Sequence, residues 1–260
     1  MEQEGIIREV SEIGNGAHIF IPKEWVGSQV KVILIAKRLN IKQDILKILE
    51  KYLEDIIGVY LVGSYSRGEQ EDKSDIDIIA ISKTTKKEII SGKYHISIAT
   101  LDGIRKTLEA YPELILPRIM EAKVILNPQL LEELSNYPVT KKSFKNFVED
   151  TKSAIKMNSE FIKLDELDGI NLKSKAIIYS IILRLRGVFL IKCILKKEKY
   201  SKKDFKRWVL KSLNEKEFKD AYEIYKSIRD KKKEKNIITL QTAKKLHNFL
   251  IKELKYFRGK

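Results

Sequence analysis

One cysteine, three histidines and five prolines are spread over 260 residues. With Cys193 alone, no disulfide forms within the chain and no cysteine metal cage can be built. That fits a reducing compartment, and a cytoplasmic location is expected. The start, Met1-Glu2-Gln3-Glu4, lacks the basic-then-apolar form of a secretory signal. No long apolar run escapes charge. The most hydrophobic stretch, Ala176 to Leu195, is interrupted by Arg184, Arg186 and Lys192, and charge at a bilayer centre is costly. A buried bundle helix is expected there, and no membrane span. Acidic residues are also short: 36 against 51 Lys and Arg, for a net charge of +15. A field of that sign favours anionic partners, so RNA or DNA is a candidate partner, although a lysine-rich surface also serves solubility alone. The hydrophobic share of 43% is that of a folded globular chain, and 260 residues suffice for two domains with a small third.

What is present concentrates between residues 59 and 81. Val59-Tyr60-Leu61-Val62 is a short apolar run ending in Gly63-Ser64, and ten residues later comes Asp75-Ile76-Asp77 at the head of Ile78-Ile79-Ala80-Ile81. Side chains two apart on a strand share a face, so Asp75 and Asp77 project together. Two carboxylates held that close repel unless a divalent cation sits between them, and Mg²⁺ binds a few carboxylates together with substrate phosphates. Gly63 lets backbone approach a ligand, and Ser64 offers N–H and hydroxyl donors to phosphate oxygens.

Strand, Gly-Ser turn, ten-residue spacer (Tyr65 to Ser74), Asp-x-Asp and a second apolar strand together resemble the nucleotidyltransferase superfamily of DNA polymerase beta. The spacer is that of the minimal and kanamycin-type members, and the resemblance covers about residues 41 to 127. It implies a nucleoside triphosphate substrate, with ATP the expected one, and Mg²⁺ or Mn²⁺ held by Asp75 and Asp77 as the catalytic and metal-binding pair. It also implies triphosphate binding by Gly63 and Ser64, with Arg67 reaching a phosphate oxygen or lying solvated at the surface. One feature departs from the family. The next strand, Tyr94-His95-Ile96-Ser97-Ile98-Ala99, carries no third acid; only His95 or Ser97 could take its place, with Asp102 the nearest acidic substitute.

The expected fold class is α+β: an N-terminal hairpin segment over 1–37, a small mixed-sheet palm over 38–130 with helices against one face, and a helical bundle over 138–260. In the first segment, strand-like Ile6–Val10 and Ala17–Ile21 flank Gly14-Asn15-Gly16, a hairpin signal. Pro22-Lys23-Glu24-Trp25 reads as a turn, and Gln29–Leu34 as another strand. The turn, the Ile21-Pro22-Lys23 step, Trp25-Val26-Gly27 and the closing Val-x-Val resemble AbrB-like swapped-hairpin domains, which implies a homodimer through residues 1–37 and contact with DNA. The alternative is a hairpin that simply extends the palm. Helical spacing runs over 41–57, and a helical piece over 102–122 is broken near Pro112 and Pro117. Bundle helices are expected near 141–166, 171–197, 201–212, 215–232 and 238–257, with Ser201 capping the third. Such bundles accompany this palm in the kanamycin-type enzymes, and in minimal members as separate HEPN proteins. The HEPN nuclease motif needs a His within four to six residues of its Arg; Arg184 and Arg186 have none, so no RNase activity of that type is expected.

Arg184 and Arg186 point to different faces of an apolar helix. Each must pair with an acid, reach the surface or meet phosphate in the cleft. His18 and His247 read as structural. The basic clusters at Lys196-Lys197, Lys202-Lys203, Lys206-Arg207 and Lys231 to Lys235 are solvated faces or a nucleic-acid surface. The function expected is metal-dependent transfer of a nucleoside monophosphate from a nucleoside triphosphate to a hydroxyl of a macromolecular acceptor, RNA or protein. The alternative is a catalytically degenerate, DNA-binding or antitoxin-like regulator on the same fold.

Overall fold

The structure is a computed structural model that describes residues 5–33, 40–233 and 236–258, and it divides into two units, Met1–Ile41 and Lys42–Lys260.

The first unit holds a two-stranded antiparallel hairpin, β1 (Ser11–Ile13) and β2 (Gly16–His18), turned by Gly14 and Asn15, with Gly14 at φ +53°. The turn lies where the sequence puts it, but the strands are only three residues each. Ile6–Val10 and 29–33 are not strand, and position 34 lies outside the described residues. A lone two-stranded ribbon has too little apolar burial to extend its ladder. Lys23–Trp25 forms a single 3₁₀ turn.

In the second unit, α1 (Ile41–Ile48) ends earlier than helical spacing predicts, because Ile56 already starts β3 (Ile56–Val62). The short α2 (Gly63–Arg67) follows, then β4 (Ile76–Ser82), β5 (Lys87–Ser91) and β6 (Tyr94–Thr100). Helices α3 (Leu101–Ala110) and α4 (Pro112–Met120), strand β7 (Lys123–Leu126) and α5 (Pro128–Ser135) complete the palm. Pro112 opens α4 at a first-turn position where its missing N–H costs nothing. Pro117, expected to break the helix, instead lies inside α4.

The sheet runs β5-β6-β4-β3-β7, with β4 and β6 parallel and the other pairs antiparallel. Both faces are covered, not one. On one, Ile78, Ile96 and Ile98 are buried, and the Tyr94 hydroxyl beside them donates to Asp44 of α1 at 2.5 Å. On the other, Tyr60, Val62, Ile79 and Ile81 share a core with Ile104, Leu108, Ile115 and Leu116 of α3 and α4.

That second core runs on without interruption into the bundle: α6 (Lys145–Glu166), α7 (Ala176–Lys196), α8 (Lys202–Val209), α9 (Glu215–Arg229) and α10 (Leu240–Leu254). The palm and the bundle helices thus share one core within the second unit. Helix α7 is apolar on nearly every side because it runs through the middle of the bundle. Gly187 lets α6 approach: a Cβ there would meet the Phe147 ring at 2.4 Å. Ser201 caps α8, accepting from the Lys203 and Asp204 N–H groups. Among the described residues no helix is long and apolar enough to cross a membrane.

Candidate active site

The β3–α2 corner and the head of β4 meet because Val62 pairs with Asp77 across the antiparallel ladder. Gly63 turns the chain at φ +74°, and a Cβ on it would meet Asp77 Oδ2 at 2.4 Å. Glycine is thus required twice over, for the left-handed backbone and for the approach to the carboxylate. Asp75 is exposed and Asp77 half-buried. Burial raises the Asp77 pKa above the ordinary carboxylate value. The charges of Arg118 and His95 oppose that rise, and Asp75 adds to it. Among the described residues, no hydrogen bond is donated to either carboxylate. A partly desolvated Asp77 with unspent lone pairs, beside the exposed Asp75, suits a hard divalent cation, which takes its remaining ligands from water and phosphate. No group of three or more His, Cys, Asp or Glu forms a ready-made cage among the described residues.

Where a third carboxylate is expected on β6, the register puts His95 opposite Asp77. Its Nδ1 lies 3.7 Å from Asp77 Oδ1, and its Nε2 lies 3.1 Å from Glu88 Oε2. Glu88 is itself fixed by the Ser97 hydroxyl, which donates to its Oε1 at 2.6 Å. Sequence reasoning missed Glu88 because it missed β5. The signal was there: Ser91-Gly92-Lys93 is a tight turn, with Gly92 at φ +57°, between two β-rich runs. Asp102 does not substitute. It is exposed at the start of α3, paired with Lys106 at 2.8 Å.

Arg67 is placed differently from the expectation of a phosphate ligand. Its Nη1 donates to both oxygens of Glu121, at 2.7 and 2.8 Å, and its Nε to Glu69 at 2.8 Å. Glu121 also accepts the Gly63 N–H at 2.9 Å, and the Ser66 hydroxyl donates to the Glu121 carbonyl. The pull of the two carboxylates outweighs burial, so the guanidinium pKa rises further. Gly63 and Arg67 are thus clamped to the end of α4, while the Ser64 hydroxyl makes no hydrogen bond among the described residues. Arg118, which sequence reasoning passed over, is half-buried on α4, and its charge reaches Asp77. Among the described residues it has neither an ion pair nor a hydrogen bond.

Of the two arginines in α7, Arg184 lies within electrostatic reach of Glu113. Arg186 instead sits among tyrosines. Glu113 is buried, its Oε2 makes no hydrogen bond, and burial pushes its carboxyl up to about 7.

The family model described as a nucleotidyltransferase domain matches residues 42–163. A second, described as "Putative transposon-encoded protein", matches residues 4–37, where the sequence suggested an AbrB-like hairpin. A protein of Methanocaldococcus jannaschii, described as "Putative protein adenylyltransferase", is 32% identical over 114 residues, which are 42% of this chain and 77% of that relative. Two solved structures are more distant. A nucleotidyltransferase-like protein from Exiguobacterium sibiricum has TM-score 0.39 and 12% identity, covering 84% of this chain and 75% of that one. An Enterococcus spectinomycin adenyltransferase, solved with ATP and spectinomycin, has TM-score 0.44 and 15% identity, covering 82% of this chain and 97% of that one. With a third of its aligned positions shared across most of the M. jannaschii protein, and with the Gly-Ser turn set against Asp-x-Asp, the chain belongs to the nucleotidyltransferase family.

Proposed function

We propose that the protein transfers AMP from ATP to a hydroxyl of a macromolecular acceptor, a protein side chain first of all, in a reaction that depends on Mg²⁺ or Mn²⁺. The observation that carries this is the Asp75–Asp77 pair with spare acceptors, of which Asp77 is partly desolvated and set against the Gly63 turn. The preference for a protein acceptor and for ATP leans on the name of the M. jannaschii relative. Asp75 and Asp77 hold the cation, which supplies charge neutralisation of the phosphates and activation of the attacking hydroxyl. The Ser64 hydroxyl and the Arg118 guanidinium are the groups free to bind phosphate oxygens. Arg67, held by Glu121, keeps the turn in shape.

In the transfer, the acceptor oxygen bonds to the α-phosphorus, the bond to the β-phosphate oxygen breaks, and pyrophosphate leaves. The hydroxyl proton passes to His95, which Glu88 orients beside Asp77. The test is incubation with each labelled nucleoside triphosphate, Mg²⁺ or Mn²⁺, and separately lysate protein and total RNA. Label from ATP is expected in protein, reduced about 10³-fold or more in Asp75→Ala/Asp77→Ala. Label in RNA instead would reassign the acceptor in the direction the +15 charge favours. Absence of transfer to any acceptor would leave the regulator reading, which His95 in the place of the third acid favours.

The N-terminal unit supports a companion reading, that it dimerises with a second copy in the AbrB-like manner. Val26, Ile7 and Phe20 are 82, 78 and 75% exposed, and a segment this small rarely buries a core alone. Sedimentation of the full chain and of a chain lacking residues 1–37 decides it: a dimer that survives the deletion would end this reading.

A further inference from the structure

Among the described residues, the bundle holds a cation without a counter-charge. Arg186 lies in the middle of α7, between buried Leu185 and Gly187. Its Nη1 donates to the Tyr225 hydroxyl, and its guanidinium carbon stands 5.4 Å from the centre of the Tyr225 ring and 5.9 Å from that of Tyr200. Among the described residues no carboxylate lies within ion-pair distance of it. Its two guanidinium neighbours differ. Arg67, 5.6 Å from the same Tyr200 ring, is neutralised by Glu121 and Glu69, and Arg229, 5.9 Å from the Tyr225 ring, by Asp230.

The hydrogen-bond inventory around Arg186 is one-sided. Its Nε–H and the Tyr200 hydroxyl are shut off from water; the hydroxyl faces the Arg186 side chain, and among the described residues neither atom meets a carboxylate. The Tyr225 oxygen accepts from Arg186, which leaves its own O–H proton to give. Burial keeps the Tyr200 phenol protonated and hence a donor. Donors and positive charge without an acceptor, in a partly desolvated place, make a site for an oxyanion.

Its location suits a substrate of the palm. The loop between α2 and β4 lies against this part of the bundle: the Lys202 N–H donates to Glu69 at 3.2 Å, Lys202 Nζ is 3.6 Å from Glu71, and the charge of Glu71 reaches Tyr222. Arg186 and Arg67 of the Gly-Ser turn both lie against the Tyr200 ring, 5.9 and 5.6 Å from its centre.

We propose that Arg186, with the hydroxyls of Tyr200 and Tyr225, is a phosphate-binding site that the bundle adds to the palm. The proposal rests on the nucleotide reading above. Two sources present the same chemistry, the polyphosphate of the nucleoside triphosphate and the backbone of a polynucleotide.

The test measures binding of inorganic triphosphate without metal, of α,β-methylene-ATP with Mg²⁺, and of a 20-nucleotide RNA, by the full chain and its variants. Arg186→Gln is expected to weaken at least one of these about tenfold or more, as loss of a charged hydrogen bond does. Tyr200→Phe, which keeps the ring and removes only the hydroxyl, is expected to weaken the same ligand by a smaller factor. Loss confined to triphosphate and the ATP analogue identifies the nucleotide as the source; loss confined to RNA identifies the acceptor strand. Unchanged binding of all three by Arg186→Gln, folded with the wild-type melting temperature, overturns the proposal. If Arg186→Gln does not fold, unchanged binding by Tyr200→Phe and Tyr225→Phe overturns it instead. Failure of the nucleotide reading is distinct: it shows as no label transfer by the wild-type chain, whatever Arg186 does.

Discussion

The two units of this chain differ most in what their apolar residues do. In the first, Ile7, Val10, Ile13, Phe20, Val26, Val30, Val32 and Ile33 are exposed. In the second, Ile45, Leu49, Ile78, Ile96, Leu185 and Val188 are among many that are wholly enclosed. Both units have clear local signals, a Gly-Asn-Gly turn in one and a Gly-Ser turn in the other. Only the second has enough chain to bury what its strands expose. A turn signal forms a turn in either setting, but long strands need a covered face, and the hairpin strands stop after three residues.

The contrast can be tested at four points, from the largest effect down. Gly63→Ala sets a Cβ against Asp77 in a left-handed backbone, and should lower transfer about 10²-fold or more while the chain still folds. Steady-state kinetics beside circular dichroism checks this; near wild-type activity would mean that the turn does not position Asp77. Ile78→Ala, at a site with no exposure, should cost about 2–5 kcal/mol in urea unfolding. A cost below about 1 kcal/mol would show that the sheet core collapses around the cavity.

Glu113 gives the third test. Its carboxyl, raised to about 7 by burial, keeps its proton in the folded chain at pH values where the unfolded chain has lost it. The folded state then binds more protons, so stability falls as pH rises from about 4.5 to about 7 and levels off above. Glu113→Gln should remove that decline, gaining roughly 3 kcal/mol at pH 8 and almost nothing at pH 4. Parallel pH profiles for the two proteins would refute it. Last, Val26→Ser in the hairpin should change the unfolding free energy of the full chain by less than about 0.5 kcal/mol, as surface substitutions do. A loss of 2 kcal/mol or more would mean that Val26 is buried in an assembly, and would sharpen the case for a second copy.

Much of the palm is legible because its signals are local. The Asp-x-Asp at the head of β4 is marked in the sequence, and the ladder pairing of Val62 with Asp77 sets the Gly63 turn against Asp77. The Ser201 cap and the bundle helices are equally readable, since a cap acts within one turn and an amphipathic stripe within a few. The Arg67–Glu121 clamp was hidden: the two residues are 54 positions apart, and nothing in either segment marks the other. Glu88 fell between, on a short exposed edge strand whose only mark was a Ser-Gly-Lys turn.

By itself the sequence determined the nucleotidyltransferase spacing, the two neighbouring carboxylates, the bundle helices and the lack of a third acid on β6. These follow from covalent neighbours and from the periods of helix and strand, which act over a few residues. Tertiary structure alone decided that Arg67 is spent on Glu121, that His95 leans on Glu88, and that, among the described residues, Arg118 has no ion pair and Arg186 stands among tyrosines without a carboxylate. Whether a charge is paired or unpaired depends on which distant segment the core brings beside it, and burial then sets how much that pairing matters.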